Sequence, residues 1–401
     1  MRTHKPERLT LRGDSGCSRR QGSCGTNKNR ALAPQGNENM RILYISYPLL
    51  TVSEESAGGA EQVLWALERE IARRGVQTTV AASAGSCVAG ELFVTGDPCH
   101  SLDDYERRNQ EHQEKIVKFV QRRESQGRPF DLIHDMSGSF WPCAASIRTP
   151  VLATLHLPRS FYSVRLFANI PANVSFNCVS YTQARSFADL EVVNGVVANG
   201  IALDQFQSHR VAGPAGRSGL LWLGRICEEK APHVALEIAR RAGMAIIVAG
   251  QVYPFTYHRQ YFDREVAPRL KEIAGSTFIQ APTLKNKCRL LREAQAVVIS
   301  SQVDETSSLV AMEAAAAGTP VVAFARGALA EVVEHGVTGF LVNDIEEAVL
   351  ALSRVKAGDI AAAACMRHAC EHFSSAVMAE RYSALYTRMK TSKCVPTAVR
   401  Q

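Results

Sequence analysis

The sequence lacks the long apolar runs that mark membrane and secreted proteins. No stretch approaches the roughly 18 consecutive apolar residues needed to span a bilayer, and residues 1–39 have no apolar segment typical of a secretory signal. The 11 cysteines are scattered, with no Cys-x-x-Cys pair, and scattered thiols are typical of a reducing compartment. These absences predict a cytoplasmic protein, for which weak peripheral membrane contact remains open.

Motifs of several enzyme classes are also missing. The chain has no Asp-x-Asp, no His-Glu-x-x-His, no Walker phosphate loop and no Gly-x-Ser-x-Gly. Cys365, His368, Cys370 and His372 cluster near the C-terminus, but their spacing fits no zinc pattern. The sequence therefore predicts no metal site, no bound cofactor and no hydrolase triad.

Positive charge is concentrated at one end of the chain. Residues 1–39 hold eight basic and three acidic side chains, so they supply +5 of the net charge of +7. We expect this segment to be a disordered basic extension. Because the rest of the chain shows no basic stripe on a folded face, no nucleic-acid partner is predicted.

Short β-rich apolar runs alternate with segments of helical periodicity, a pattern typical of α/β folds with parallel sheets. A Gly-, Ala-, Pro- and Ser-rich segment at 208–218 separates two such series and is the predicted linker. We predict an N-terminal domain at 40–207, a C-terminal domain at 219–374 and a C-terminal helix at 375–392. Strands are expected at 41–47, 77–82, 131–134, 151–155, 174–179, 195–197, 220–223, 245–249, 277–280, 296–300 and 320–324, and helices at 61–74, 103–126, 233–242, 259–273, 285–294, 308–317 and 376–390. The predicted architecture is two Rossmann-like, doubly wound domains facing a central cleft.

Ligands of such sheets bind at the carboxyl ends of strands, so the loops after strands hold the candidate chemistry. The predicted strand 296–300 is followed by Glu305 and then by Ser307 and Ser308, which can cap a helix carrying Glu313. The unpaired amides of a helix N-terminus suit phosphate. On these residues alone, a plain helix cap and a solvated Glu313 are the alternative.

Two cations follow the strand at 220–223. Arg225 and Lys230 are five residues apart in one loop, and such a pair can hold a diphosphate. The alternative is that Arg225 pairs with Glu228 or Glu229 while Lys230 is solvated.

Two weaker candidates lie in the first half of the chain. Gly58 and Gly59 precede a helix and allow close backbone approach to a ligand, but on these residues alone a simple tight turn is favoured. His156 follows a strand and can accept a proton or bind a sugar hydroxyl, with a structural role as the alternative.

Taken in order, these motifs resemble those of the family-4 retaining glycosyltransferases of the GT-B fold, over about residues 40–391. The matching pieces are GGAE at 58–61, NGI at 199–201 with Asp204, the G-R-x4-K signature at 224–230, the E-x7-E pair Glu305 and Glu313, GTPVV at 318–322, Glu331, and GVTGF at 336–340. Ala202 stands where the family's motif usually has aspartate, and the chain departs from the family at two further places. Members often read Glu-x-Phe-Gly where this chain has ETSS at 305–308, and often have glycine after the signature lysine where this chain has Ala231. Both departures leave the identity of the donor open.

The resemblance implies metal-independent, retaining transfer from a nucleotide-diphosphate sugar, with a UDP-sugar the expected donor. The nucleotide sugar would be a co-substrate, and the acceptor, whether lipid, glycan or small molecule, is not identified. Arg225 and Lys230 would neutralise the leaving diphosphate, Glu305 would meet the donor sugar, and Glu313 would bind the ribose. His156 would line the acceptor side. The remaining donor-binding positions implied are Gly58, Gly59, Gly224, Ser307, Ser308 and Leu309.

Two other functions fit the same fold. One is another GT-B enzyme, such as an epimerase or a phosphorylase, and a phosphorylase would need pyridoxal phosphate on a lysine. The other is a degenerate nucleotide-sugar-binding scaffold, against which the intact pairs Arg225/Lys230 and Glu305/Glu313 argue.

Overall fold

A computed structural model describes residues 40–99, 104–206, 217–253 and 255–392. The extension predicted at 1–39 and nearly all of the linker predicted at 208–218 lie outside the described residues. In the part of the chain that is described, no helix is both long and apolar enough to cross a membrane.

The first domain is built on a seven-stranded parallel sheet in the order β3-β2-β1-β4-β5-β6-β7. Its strands are β1 Arg41–Ile45, β2 Gln77–Ser83, β3 Glu91–Gly96, β4 Leu132–Asp135, β5 Val151–Leu155, β6 Val174–Cys178 and β7 Val193–Val196. Its helices are α1 Gly59–Arg73, α2 Tyr105–Ser125 and α3 Tyr181–Ser186. Most strands are buried apolar runs, as expected where helices cover both faces of a parallel sheet.

The second domain is built on a six-stranded parallel sheet in the order β10-β9-β8-β11-β12-β13. Its strands are β8 Leu220–Leu223, β9 Ile246–Gly250, β10 Thr277–Gln280, β11 Ala296–Ile299, β12 Val321–Phe324 and β13 Gly339–Val342. Its helices are α4 Pro232–Ala242, α5 Thr256–Tyr261, α6 Ala267–Glu272, α7 Leu284–Glu293, α8 Leu309–Ala316, α9 Leu329–Val332, α10 Ile345–Ala357 and α11 Ala362–Phe373. The two doubly wound domains predicted from the sequence are therefore confirmed.

Each sheet reverses its strand order at one point. The reversal lies between β1 and β4 in the first domain and between β8 and β11 in the second. At such a point the connections diverge to opposite faces and leave a crevice at the carboxyl edge of the sheet. The loops after β1, β8 and β11 are therefore where the fold provides space for a ligand.

The last helix, α12 Ser375–Ser392, packs on the first domain. The hydroxyl of Tyr386 lies 2.7 Å from Nδ1 of His134, and Nε2 of the same ring lies 2.7 Å from the Thr154 hydroxyl. Tyr382 lies 3.2 Å from that threonine hydroxyl. All four side chains are fully buried, so this polar network fixes α12 against strands β4 and β5.

Several elements differ from the sequence-based expectation. The helix predicted at 259–273 is α5, one π-helical turn at Phe262–Val266 and α6. Pro268 lacks an N–H and sits at the second position of α6, where the missing donor is tolerated. Strands β3 and β13 are short edge strands that the periodicity did not predict.

Candidate active site

A cleft of about 440 Å³ opens between the two domains. The loop between β1 and α1 forms one wall, and the loops after β8 and β9 with helices α7 and α8 form the other. Five residues predicted from the sequence line it, namely Gly59, Gly224, Arg225, Leu309 and Glu313. The remaining predicted residues are not part of its lining.

The floor of the cleft depends on close contact between two loops. A Cβ atom on Gly250, at the end of β9, would lie 1.7 Å from the carbonyl oxygen of Gly224. Any side chain there would push the Arg225 loop away. Gly250 is not among the residues predicted from the sequence.

Lys230 and Glu305 form an ion pair beside the cleft, with 2.5 Å between Lys230 Nζ and Glu305 Oε1. Glu305 is only 9% exposed and also accepts a hydrogen bond from the Ser301 hydroxyl. The two residues follow β8 and β11, which are adjacent strands, so the sheet itself brings them together. The structure thus joins a predicted cation to a predicted carboxylate.

The turn that presents Lys230 is held by backbone contacts. Ala231 adopts a left-handed conformation with φ of 48°, which a side chain disfavours. The Ser300 hydroxyl donates to the Ala231 carbonyl at 2.7 Å and accepts from the Trp222 indole at 3.1 Å. The positive φ of Ala231 explains why a glycine would suit position 231.

Gly327 holds the backbone of Glu305. Its φ is +56°, and a Cβ would lie 2.3 Å from the Glu305 carbonyl oxygen. That oxygen accepts a hydrogen bond from the Ala328 amide at 2.6 Å. Gly327 is not among the residues predicted from the sequence, although a glycine shortly after a strand was an available signal.

Glu313 is buried in helix α8 and is neutralised by a lysine from a different helix. Lys287 Nζ, on α7, lies 2.6 Å from Glu313 Oε1, and the two side chains are 16% and 3% exposed. Both residues line the cleft. Glu313 is therefore not the solvated residue of the alternative interpretation. Lys287 was not predicted, because no feature of the sequence near either residue indicates this pairing.

The N-terminus of α8 separates two openings. Ser308 caps the helix by accepting from the Ala311 amide. Leu309 faces the cleft, whereas Thr306 and Ser307 line a second groove of about 600 Å³. The Ser307 hydroxyl is buried without a partner among the described residues. The amides at the helix start contribute about half a positive charge next to the Lys230–Glu305 pair.

His156 lies against the loop that carries Glu305. Its carbonyl oxygen accepts from the Thr306 hydroxyl at 2.8 Å, across the two domains. Burial lowers the pKa of His156 to about 4, so its imidazole is neutral at pH 7. Nε2 has no hydrogen-bond partner within the described residues. A neutral ring with a free nitrogen can bind a hydroxyl but cannot supply positive charge.

Gly58 and Gly59 occupy different surroundings. A Cβ on Gly58 would lie 2.0 Å from Glu61 Oε2, so this carboxylate covers the first glycine. Glu61 is 4% exposed, and burial raises its pKa to about 7. A Cβ on Gly59 would lie 3.2 Å from Leu309, so the second glycine touches the opposite domain.

No group of three or more His, Cys, Asp or Glu side chains is arranged to hold a metal ion within the described residues. In the segment weighed for zinc, the Cys365 thiol points to the Thr338 carbonyl and His368 Nε2 lies 3.1 Å from the Val332 carbonyl.

Comparison with known proteins agrees with this architecture. Residues 217–356 match the family model of the group 1 glycosyl transferases. D-inositol 3-phosphate glycosyltransferases from Mycobacterium tuberculosis and Mycobacterium bovis are 28% identical to the chain over 418 aligned positions, covering 90% of this chain and 86% of theirs. The resemblance predicted from the motifs is therefore confirmed.

Solved structures show the same fold. Sucrose-phosphate synthase from Thermosynechococcus elongatus superposes with a TM-score of 0.68 at 19% identity, covering 88% of this chain and all of that one. Anabaena HepE, solved with UDP and glucose, gives 0.65 at 18% identity, covering 87% of this chain and 99% of that one. The predicted GT-B fold is confirmed.

Proposed function

We propose that this chain, a glycosyltransferase of the GT-B group 1 type, moves a sugar from a nucleotide-diphosphate donor to a hydroxyl acceptor with retention and without a metal ion. The observation that carries the proposal is the meeting of Lys230, Glu305 and the α8 N-terminus beside a cleft lined by Arg225 and Glu313. A UDP-sugar is the first donor to consider, in part because HepE was solved with UDP-glucose.

Cations and amides would stabilise the leaving group. Breaking a sugar–diphosphate bond builds negative charge on the leaving oxygen, and fixed positive groups in a closed site lower that barrier. Arg225 lines the cleft, and Lys230 is already ordered by Glu305. A donor diphosphate would share the Lys230 ammonium with this carboxylate, which would draw Glu305 close to the donor sugar.

Glu313 would bind the nucleoside. A carboxylate can accept hydrogen bonds from both ribose hydroxyls, and Lys287 holds one of its oxygens in place. Tyr253 lies in the same cleft and offers an aromatic surface for the base.

His156 would face the reacting sugar from the other domain. Because the ring is neutral, its free Nε2 would hydrogen-bond a sugar or acceptor hydroxyl rather than the diphosphate. Retention is the part of the proposal that comes from the family resemblance, with Glu305 on the face where the bond changes.

Donor binding tests the proposal. UDP-, GDP-, ADP- and dTDP-sugars should be screened by thermal shift in EDTA, with wild type, Glu313→Ala and the exposed control Glu293→Ala from α7. We expect one nucleotide series to stabilise wild type and the control but not Glu313→Ala. Stabilisation by no donor, or stabilisation that EDTA abolishes, would contradict the proposal.

Transfer is then assayed with the stabilising donor. D-inositol 3-phosphate is the first acceptor to try, because it names the curated relatives. Release of free nucleotide that depends on acceptor is the expected result. Tight donor binding without transfer to any lipid, glycan or small-molecule acceptor would favour a binding scaffold instead.

A further inference from the structure

Glu331 connects the two domains outside the donor cleft. It lies on α9 of the second domain, and its carboxylate accepts hydrogen bonds from the backbone amides of Tyr181 at 2.8 Å and Thr182 at 2.6 Å. These are the first two residues of α3 in the first domain. Amides at a helix start have no partner inside the helix, so the carboxylate satisfies both.

This contact belongs to the second groove and not to the cleft. Glu331 lines the second groove together with Thr306 and Ser307, and it is not part of the cleft lining. On the cleft side the domains touch elsewhere, where the Leu284 amide donates to Glu55 at 3.3 Å. The two sides of the domain contact are therefore held by separate residues.

The same segment that carries Glu331 also fixes Glu305. The Ala328 amide donates to the Glu305 carbonyl, and Gly327 packs on the Glu305 backbone. One residue after Glu305, the Thr306 hydroxyl reaches the His156 carbonyl of the opposite domain. A short chain of contacts therefore runs from α3 through Glu331 to Glu305 and back to His156.

The negative charge of the Glu331 carboxylate strengthens its contacts in this series. Hydrogen bonds from amides to an ionised carboxylate are stronger than neutral ones, and the carboxylate of Glu331 makes two of them across the domain boundary. The other interdomain bond near Glu305 joins two neutral groups, the Thr306 hydroxyl and the His156 carbonyl. Loss of the Glu331 carboxylate would thus leave the weaker contact to hold His156 against the Glu305 loop.

We propose that Glu331 is a positioning residue that holds the first domain against the second, so that His156 lies next to the Glu305 loop during sugar transfer. The catalytic part of this inference rests on the proposed function. The part of the inference that concerns domain closure does not depend on the proposed function, and closure is measured separately.

The experiment compares Glu331→Ala, Glu331→Gln and the control Glu334→Gln. Glu334 is an exposed residue of the same segment, and its carboxylate pairs with His368 at 3.3 Å within the second domain. Turnover and donor KM are measured for each variant, and closure is followed by interdomain fluorescence transfer with and without UDP. We expect kcat to fall about tenfold or more in Glu331→Ala, which corresponds to about 1.4 kcal/mol of barrier. Glu331→Gln keeps one acceptor oxygen and should be intermediate, and Glu334→Gln should match wild type.

Comparison of kcat with UDP affinity and the melting midpoint distinguishes a positioning role of Glu331 from a role in folding. UDP affinity and the melting midpoint should stay near wild type in both Glu331 variants, while the closed population falls. Wild-type kcat and closure in Glu331→Ala would overturn the proposal, and so would a parallel loss of kcat, UDP affinity and stability. If wild type transfers no sugar, the proposed function fails, and the fluorescence measurement alone still decides whether Glu331 closes the domains.

Discussion

Replacing Lys287 tests the most enclosed ion pair of the site. The Glu313 carboxylate is 3% exposed, and Lys287 Nζ lies 2.6 Å from it. In Lys287→Met the new side chain replaces most of the aliphatic stem, so packing is kept while the positive charge is removed. The variant therefore leaves a buried carboxylate without its cation.

The expected loss of stability in Lys287→Met follows from the burial of Glu313. Removing one partner of a buried ion pair costs about 3 kcal/mol or more, because the remaining charge stays desolvated. For a domain of this size each kcal/mol lowers the melting midpoint by about 2–4 °C, so we expect a fall of roughly 6–12 °C. Glu313 also lines the cleft, so stabilisation by the donor nucleotide should be lost in the same variant.

The assay is a double-mutant cycle read by thermal and urea unfolding. Lys285→Met is the matched control, since Lys285 is exposed on the same helix two residues earlier, and it should change stability by no more than about 0.5 kcal/mol. The double variant Lys287→Met/Glu313→Gln carries no unpaired charge and should recover most of the loss. Equal stability of Lys287→Met and Lys285→Met would refute the reasoning, because the carboxylate would then not depend on this lysine.

Three further predictions concern the same region. Lys230→Ala and Glu305→Gln should each lower transfer at least about tenfold with the fold retained by circular dichroism, since each removes a group that the proposed function places at the developing charge. Near wild-type turnover in both would contradict the proposed site. Burial raises the pKa of Glu61 from 4.5 to about 7, so the folded state holds its proton more tightly and stability falls as pH rises across that window. Urea unfolding at pH 5 and pH 8 should show wild type losing up to about 3 kcal/mol more than Glu61→Gln, and equal losses would be inconsistent with a buried acid. Ala231→Gly should raise stability by about 1 kcal/mol, because φ of 48° disfavours a side chain, and a lower melting midpoint would argue against that turn.

The sequence predicted the sheets well where buried strands are bounded by turn residues. Strands β5 and β8 occupy the predicted residues, because short buried apolar runs that follow a proline or a glycine leave few alternatives. Strand β3 pairs with β2 alone, at the edge of its sheet, and is half exposed, so its pattern is not that of a buried run. For β3, the pairing with β2 defines the strand, and the local sequence does not report that pairing.

Individual residues of the candidate site could be predicted from the sequence, but the ion pairs between them could not. Glu305 and Lys230 were selected separately, from a helix cap and from a pair of cations, and the adjacency of β8 and β11 joins them. Lys287 was not selected, because it lies 26 residues before Glu313 on another helix. Such partners depend on how helices pack over the sheet, and periodicity within one helix does not report it.

The pairings bear on whether a chain with these motifs is active. Glu305 lies in a loop and Glu313 is the fifth residue of α8, so their spacing does not by itself place them on one helical face. Glu305 is placed by Gly327 and Lys230, and Glu313 is placed by Lys287. A chain could keep both glutamates and lose Gly327 or Lys287, and its motif would remain while the site lost its geometry. The contacts made by these supporting residues therefore discriminate an intact site from a degenerate one better than the motif does, and in this chain they are present.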